Sequence, residues 1–389
     1  MKKKLLITAS TFPRWEADTE PRFILDLSKA LQKYYDVTVL VPAAVGAKRR
    51  EVLEGVSVIR YHYFPVYRWE TLCYPGAIVP RIREKKVRIC LVPFLFLGLF
   101  CKMLKIGKDY DIVFANWLIP QGIVQSFFKI PYVLVGHGGD VSSLNKAVVK
   151  QLKVRACKKA GKVIVVSKEL KNQLKKYFNS SPIDVIPMGC DIKKFNPLNR
   201  VHNYFGQKDK KIVLFVGRLA EKKGIEYLIE AAGDIDARFI IVGEGPLREK
   251  LIGQASGLAD KLVFCGAKPH EELAKIYASA DIFVAPSVTA KDGDKEGMPT
   301  TIMEAMASGI PVVASNSGGI SEILKDGENG FLVAERDVAG LREKINMLVG
   351  NAELRKKLGK NARLTAEEYD YTNIARKYAD AFRCLLPEN

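Results

Sequence analysis

Short, continuous runs of apolar and β-branched residues recur along the chain at spacings that leave room for one helix between them. This recurrence limits the fold more than any other feature. In the first half the runs cover residues 4–10, 37–41, 56–61, 112–115, 131–135, 162–166 and 184–186; in the second half they cover 212–216, 238–242, 262–264, 282–285, 311–314 and 330–332. Most lack polar alternation, which is the pattern of strands covered on both faces. Amphipathic stretches at 22–34, 167–178, 225–232, 246–255, 269–278, 300–307 and 338–347 fill the gaps. Strand and helix in alternation predict an α/β chain built on parallel sheets. At 389 residues the chain is long for one core and suits two. Two doubly wound, Rossmann-like domains are therefore expected, 1–200 and 201–365, with a last helix at about 366–389 packing back on the first. The polar stretch 193–210, with Asn196-Pro197 and Gly206, is the expected linker.

Sheets of this kind bind ligands at the carboxyl ends of their strands, so the loops that follow the runs are where chemistry is sought. Neither the dinucleotide fingerprint nor the P-loop pattern occurs. The most specific stretch is Glu296-Gly297-Met298-Pro299-Thr300-Thr301, which leads into a helix that carries Glu304. Pro299 suits the first helical turn, leaving Glu296 in the preceding loop and Glu304 inside the helix. Backbone N–H groups at Met298, Thr300 and Thr301 then offer an anion site fit for a diphosphate. The two carboxylates suit hydroxyls: Glu304 a ribose diol, Glu296 a sugar. On their own, a solvated Glu296 and a capping or paired Glu304 explain the pattern equally well. After the run 212–216 comes Gly217-Arg218, then Lys223-Gly224, two cations on a loop entering a helix. A guanidinium and an ammonium there can neutralise a departing diphosphate as a divalent metal does elsewhere. No metal is expected: Asp292-Gly293-Asp294 is the nearest metal-ligand lookalike and reads as a flexible acidic loop.

In this order and spacing, Gly217-Arg218 with Lys223-Gly224, Val242-Gly243-Glu244-Gly245-Pro246, Ala280-Asp281 with Ala285-Pro286-Ser287, the Glu296/Glu304 pair, and Gly318-Gly319 with Asp326-Gly327-Glu328-Asn329-Gly330 resemble family 4 of the retaining glycosyltransferases. Ile186-Pro187-Met188-Gly189-Cys190-Asp191 and Phe195-Asn196-Pro197 look like that family's domain junction. The resemblance runs nearly the whole chain. It implies the GT-B architecture, two Rossmann-like domains facing each other across a deep cleft. It also implies metal-independent hexosyl transfer with retention, in which the leaving phosphate assists the incoming hydroxyl. Arg218 and Lys223 would contact the donor diphosphate, Glu296 the sugar and Glu304 the ribose, with Gly217, Gly245, Gly297, Met298, Pro299, Thr300 and Thr301 lining the donor. Lys268 and His270, after the run 262–264, are the expected contacts to the base. The long insert before Glu296 is similar to that of members acting in exopolysaccharide and lipid-linked glycan assembly, a pointer to UDP-sugars. The nucleotide-sugar is a substrate, so no cofactor is implied.

In the first half, Gly136-His137-Gly138-Gly139-Asp140 follows a buried run, and the glycines let a ligand approach. The family places this His against the transferred sugar, so His137, Gly138, Asp140 and Arg14 are assigned to the acceptor or sugar side. The loop 10–20 departs from the family form, which has paired glycines there, and reads as shaping the acceptor cleft.

The formal charge of +18 is unevenly spread: residues 1–200 hold 35 Lys and Arg against 15 Asp and Glu, while 201–389 hold 26 against 28. The excess points the first half at a polyanion. Arg83, Lys85, Lys86 and Arg88 precede thirteen uninterrupted apolar residues, 89–101, too few to span a bilayer. A basic cluster beside such a segment fits an interfacial element on an anionic membrane; a core helix with a basic entry loop fits the same pattern. A glycan or lipid-linked acceptor follows from the interfacial reading. Seven scattered cysteines without a CxxC pair point to free thiols in the cytoplasm. Two rival classes share some features: a nucleotide-sugar epimerase of the same architecture lacks a use for the Arg218/Lys223 and Glu pairs, and a nucleic-acid-binding protein lacks a recognisable module, so no nucleic acid is expected.

Overall fold

The apolar runs fold as strands of two separate sheets in a computed structural model, which describes residues 2–16, 18–206, 209–291 and 293–386. Asp292 of the acidic loop and the last three residues of the expected final helix lie outside the described residues. Contacts divide the chain into two units: one runs to Pro187 and resumes at Tyr371, and the other is Met188–Asp370.

In the first unit the strands are β1 (Lys4–Thr8), β2 (Asp36–Pro42), β3 (Arg50–Leu53), β4 (Val56–Tyr61), β5 (Ile112–Asn116), β6 (Tyr132–Gly136), β7 (Lys162–Val165) and β8 (Ile183–Val185). Their order is β3-β4-β2-β1-β5-β6-β7-β8, and all neighbours are parallel except β3, which is antiparallel to β4. β3 escapes the sequence reading because an edge strand pairs on one side only and needs no apolar run. The helix Phe23–Leu31 belongs to this unit, as does the last helix, Tyr371–Arg383. Phe382 and Tyr378 of that helix pack on Phe114 of β5, at ring separations of 5.2 and 4.9 Å. The Tyr35 hydroxyl donates to the Ala379 carbonyl.

The second unit holds β9 (Lys211–Val216), β10 (Ala237–Val242), β11 (Leu262–Phe264), β12 (Ile282–Ala285), β13 (Val312–Ser315) and β14 (Gly330–Val333), all parallel in the order β11-β10-β9-β12-β13-β14. This is the doubly wound order, with its switch point between β9 and β12. Val213, Phe215, Phe239, Ile241, Val284 and Val313 form its core, each worth about 1.5–3 kcal/mol on burial.

The unit boundaries differ from those read in the sequence, 200 and about 366. Residues 188–200 are tied into the second unit: the Cys190 N–H donates to the Tyr369 carbonyl at 2.9 Å, and the Arg363 guanidinium donates to the carbonyls of Ile192 and Phe195. These bonds satisfy backbone groups that a free linker would leave to water.

The apolar segment after residue 88 becomes the helix Val92–Ile106, entered through a 3₁₀ turn, Lys86–Leu91. Leu95, Leu99 and Met103 are its buried positions. Among the described residues one helical run, Lys86–Asp109, has the length and composition to cross a membrane, and only 22% of its apolar window is buried.

Candidate active site

The switch point of the second sheet gathers the charged residues. β9 ends at Val216, and Gly217-Arg218 turns away into a 3₁₀ turn, Glu221–Lys223, before the helix Ile225–Ala232. Between turn and helix stands Gly224 at φ +62°, where a Cβ would lie 1.9 Å from the Pro286 carbonyl oxygen. The loops after β9 and β12 are thus pressed together, and only glycine permits it. That approach brings Lys223 Nζ to 3.0 Å from Glu296 Oε1, with both side chains largely buried, while Lys222 Nζ lies 3.2 Å from Asp294 Oδ2. Burial opposes ionisation of Glu296, but the charges of Lys223 and Lys222 outweigh it and hold the carboxyl below its usual range. Gly318, whose Cβ would meet the Glu296 carbonyl oxygen at 1.9 Å, fixes the backbone behind the carboxylate. Arg218 is part-buried on the Lys223 loop, and Gly245 packs its Cα against the Leu219 backbone.

Pro299 stands at the N-cap, one residue before the helix Thr300–Ala307, so the expected first-turn position belongs to Thr300. Gly297, Met298 and Pro299 are buried; Thr300 and Thr301 are part-exposed at the helix start. Glu304 is 9% exposed, and its Oε2 accepts a 2.8 Å hydrogen bond from the Tyr277 hydroxyl. His270 Nε2 stands 3.7 Å from Glu304 Oε1, and Phe195 sets its ring edge-on to both His270 and Tyr277 at 5.1 and 5.5 Å. Lys268 and His270, grouped in the sequence, therefore separate. Lys268 pairs with Glu272 at 2.9 Å, one turn along the helix His270–Ser279, and only His270 joins Glu304. Tyr277 was legible in principle: it lies seven residues after His270 on an expected helix, hence on the same face.

In the first unit, His137 follows β6 and Asn116 ends the neighbouring β5. The Asn116 amide nitrogen turns to the Phe114 carbonyl at 3.4 Å, so Oδ1 faces the imidazole and accepts from its Nε2–H at 3.0 Å. Burial pushes the imidazole down to about 3, and Nδ1 is left as a buried acceptor without a hydrogen-bond partner. Trp117 and Phe23 flank the ring at 4.9 and 5.4 Å. Neither Asn116 nor these aromatics carried a sequence signal of their own.

Asp140, expected on the acceptor or sugar side, holds backbone N–H groups. Its Oδ1 accepts from the N–H groups of His137 and Gly138 at 3.1 and 2.9 Å, and its Oδ2 accepts from that of Leu118 at 2.9 Å. The carboxylate ties the loop after β6 to the loop after β5 and has its oxygens occupied by backbone. Lys153, fully buried, braces the same turn through the carbonyls of Asp140 and Ser143 and the Asn145 side chain, and burial lowers it to about 8. Arg14 is likewise committed: it grips Asp18 with two side-chain hydrogen bonds of 2.8 and 2.7 Å and stacks on Trp15. The basic quartet divides as well. Arg83, Lys85 and Lys86 are exposed, but Arg88 is buried and donates to Thr71 Oγ1, the Arg81 carbonyl and Glu84, so it does not face a membrane. None of the seven cysteines is in a disulfide.

Comparison with known proteins gives a consistent result. Residues 21–194 match the family model described as Glycosyltransferase Family 4, and residues 202–365 match that of Glycosyl transferases group 1. TuaC of Bacillus subtilis (strain 168), named for glycosyl transfer in teichuronic acid biosynthesis, is 30% identical over 88% of this chain and 88% of its own. Two solved structures share the fold. Sucrose-phosphate synthase from Thermosynechococcus elongatus superposes with a TM-score of 0.79 at 22% identity, covering 99% of each chain. HepE of Anabaena, solved with UDP and glucose, superposes with a TM-score of 0.77 at 21% identity, covering 98% of this chain and 100% of its own.

Proposed function

We propose a specific reaction for this chain, which belongs to glycosyltransferase family 4 and has the GT-B fold: transfer of a sugar from a UDP-sugar to a hydroxyl of a glycan or lipid-linked acceptor, with retention and without a metal. The observation that carries this reading is the buried Lys223–Glu296 pair at the β9/β12 switch point, with Arg218 on the same loop. A diphosphate arriving there meets two fixed cations, and both gain value as negative charge builds on the leaving group. Glu296, kept ionised by its neighbours, accepts hydrogen bonds from sugar hydroxyls. Glu304, steadied by Tyr277, offers its other oxygen to the ribose diol. His137, with Nε2–H taken by Asn116, presents Nδ1 as a single acceptor for a sugar hydroxyl. No carboxylate nucleophile is required, because the leaving phosphate oxygen takes the proton of the incoming hydroxyl. The UDP preference is supported by the Anabaena neighbour's ligands, and the acceptor class by the teichuronic acid relative and the basic first half. The enzyme works in the cytoplasm at an anionic membrane surface. A thermal-shift screen of UDP-, GDP- and ADP-sugars tests the donor, since a bound donor raises stability by mass action. With the best donor, an α-linked donor sugar should yield an α-linked product in excess EDTA. An inverted product, or activity abolished by EDTA, would sink the proposal.

A further inference from the structure

The helix Val92–Ile106 is apolar on both faces. Leu95, Leu99 and Met103 point into the first unit, whereas Phe94, Leu97 and Leu104 face outward, Leu97 and Leu104 at 57% and 58% exposure. The outward positions follow a helical spacing, so they form one ridge along the axis. The preceding turn extends it with Val87 and Ile89, 73% and 60% exposed. At its side Phe64 meets Phe94 edge-on at 4.8 Å and stacks with Trp69, itself 54% exposed. Cations stand at both ends: Arg83, Lys85 and Lys86 before the ridge, Lys102, Lys105 and Lys108 at its far end. Burial, and then the nearby charges of Arg50, Arg49 and Lys105, lower the Lys102 amine, so the strand β3 adds to the same cationic field.

We infer that this ridge is a docking surface for an anionic lipid bilayer, on which the helix lies flat with its outward apolar side chains among the acyl chains and its flanking lysines at the headgroups. An apolar stripe with an aromatic at its border and basic residues around it matches a bilayer interface in chemistry and in layering. The helix lies on the membrane and does not span it. Leu95, Leu99 and Met103 are at most 2% exposed, and a Cβ on Gly98 would come within 2.9 Å of the Tyr63 backbone, so the helix cannot leave the unit without opening its core. A second copy of the chain is the less suited occupant, because a ridge-to-ridge contact would oppose like charges. This inference rests on the proposed lipid-linked acceptor only for its purpose, and its test is independent of that reading.

Flotation of the full chain with vesicles of phosphatidylglycerol and phosphatidylcholine, against phosphatidylcholine alone, tests the surface. Wild type should float with the anionic vesicles, and Leu97→Glu/Leu104→Glu should reduce flotation at least about tenfold, as should Lys102→Gln/Lys105→Gln/Lys108→Gln. Tryptophan emission should shift to the blue on binding and lose most of that shift in Trp69→Phe. Since Leu97 and Leu104 are exposed, the double variant should keep its melting temperature and its thermal shift with UDP-glucose. Wild type that does not float, a double variant that floats as well as wild type, or a dimer in sedimentation that the double variant abolishes would each overturn the inference. Flotation without a thermal shift from any of the UDP-, GDP- and ADP-sugars would leave the surface standing and remove the proposed reaction.

Discussion

Lys223 and Glu296 form a buried pair in a place where stability alone gives little reason for one. Desolvating two charges costs about as much as their attraction returns, and removing one partner strands the other. The pair makes sense as a poised site, in which a diphosphate takes over the ammonium and a sugar takes over the carboxylate. Lys223→Ala and Glu304→Ala should each lower turnover at least about a hundredfold at saturating donor, the loss of one major contact to developing charge or to the ribose. Near-normal turnover in either purified variant would contradict the assignment. Tyr277 acts one step back, through its 2.8 Å hydrogen bond to Glu304. Tyr277→Phe keeps the buried ring and deletes only the hydroxyl, so the donor KM should rise about fivefold while kcat stays within about twofold. A loss in kcat alone would place Tyr277 in the chemistry.

At the level of elements, loops are held by glycines where backbones touch. Gly318 at φ +60° and the Glu296 carbonyl leave no room for a methyl group, whereas nothing lies within 4 Å of a Cβ on Gly253, in the helix Arg248–Gln254. Gly318→Ala should therefore lower stability by at least about 1 kcal/mol and raise the donor KM, because it displaces the carboxylate's backbone. Gly253→Ala should stabilise the same unit by about 0.5–1 kcal/mol. Melting curves of the two variants, with and without UDP-glucose, check both signs. The same contrast explains what was legible in the sequence. Buried strands such as β9 and β12 leave continuous apolar runs, and loop residues at their ends leave motifs, so Arg218, Lys223, Glu296 and Glu304 could be named before the structure. The edge strand β3, half solvated, leaves no run. Asn116 and Phe195 act through the side chains they meet, His137 for one and His270 with Tyr277 for the other, at positions fixed only by how the elements pack. What Asp140 and Arg14 hold inside the protein was hidden for the opposite reason: their residue types suggest a ligand, and the sequence does not show that the first binds backbone N–H groups and the second Asp18.

Across the whole molecule the two units should respond differently to acid. Depressed carboxyls occur in both: Glu54 falls to about 2, chiefly through its hydrogen bond to Arg22, and Glu335, though burial opposes it, is held down by Ser317 and Thr289. Their contribution is present above the unfolded value of 4.5 and lost as pH falls below it toward the folded value. His137 adds a second, earlier term in the first unit. Its imidazole is held neutral by burial down to about 3, against 6.5 for an ordinary imidazole. As pH falls through that window the unfolded chain takes up the proton and the folded unit does not, so stability is full above 6.5 and erodes toward 3. Asp140, lifted by burial, binds its proton in the folded state first and recovers part of the loss at the acid end. Hydrogen exchange should therefore report that amides of β5 and β6 lose protection between about pH 7 and pH 5, after correction for intrinsic rates, while those of β9 and β12 hold until the carboxyl range is reached. His137→Gln, which cannot titrate, should flatten the first unit's response over that interval. Equal pH dependence of β5–β6 protection in wild type and variant would show that the neutral imidazole is not what sets the first unit's acid limit.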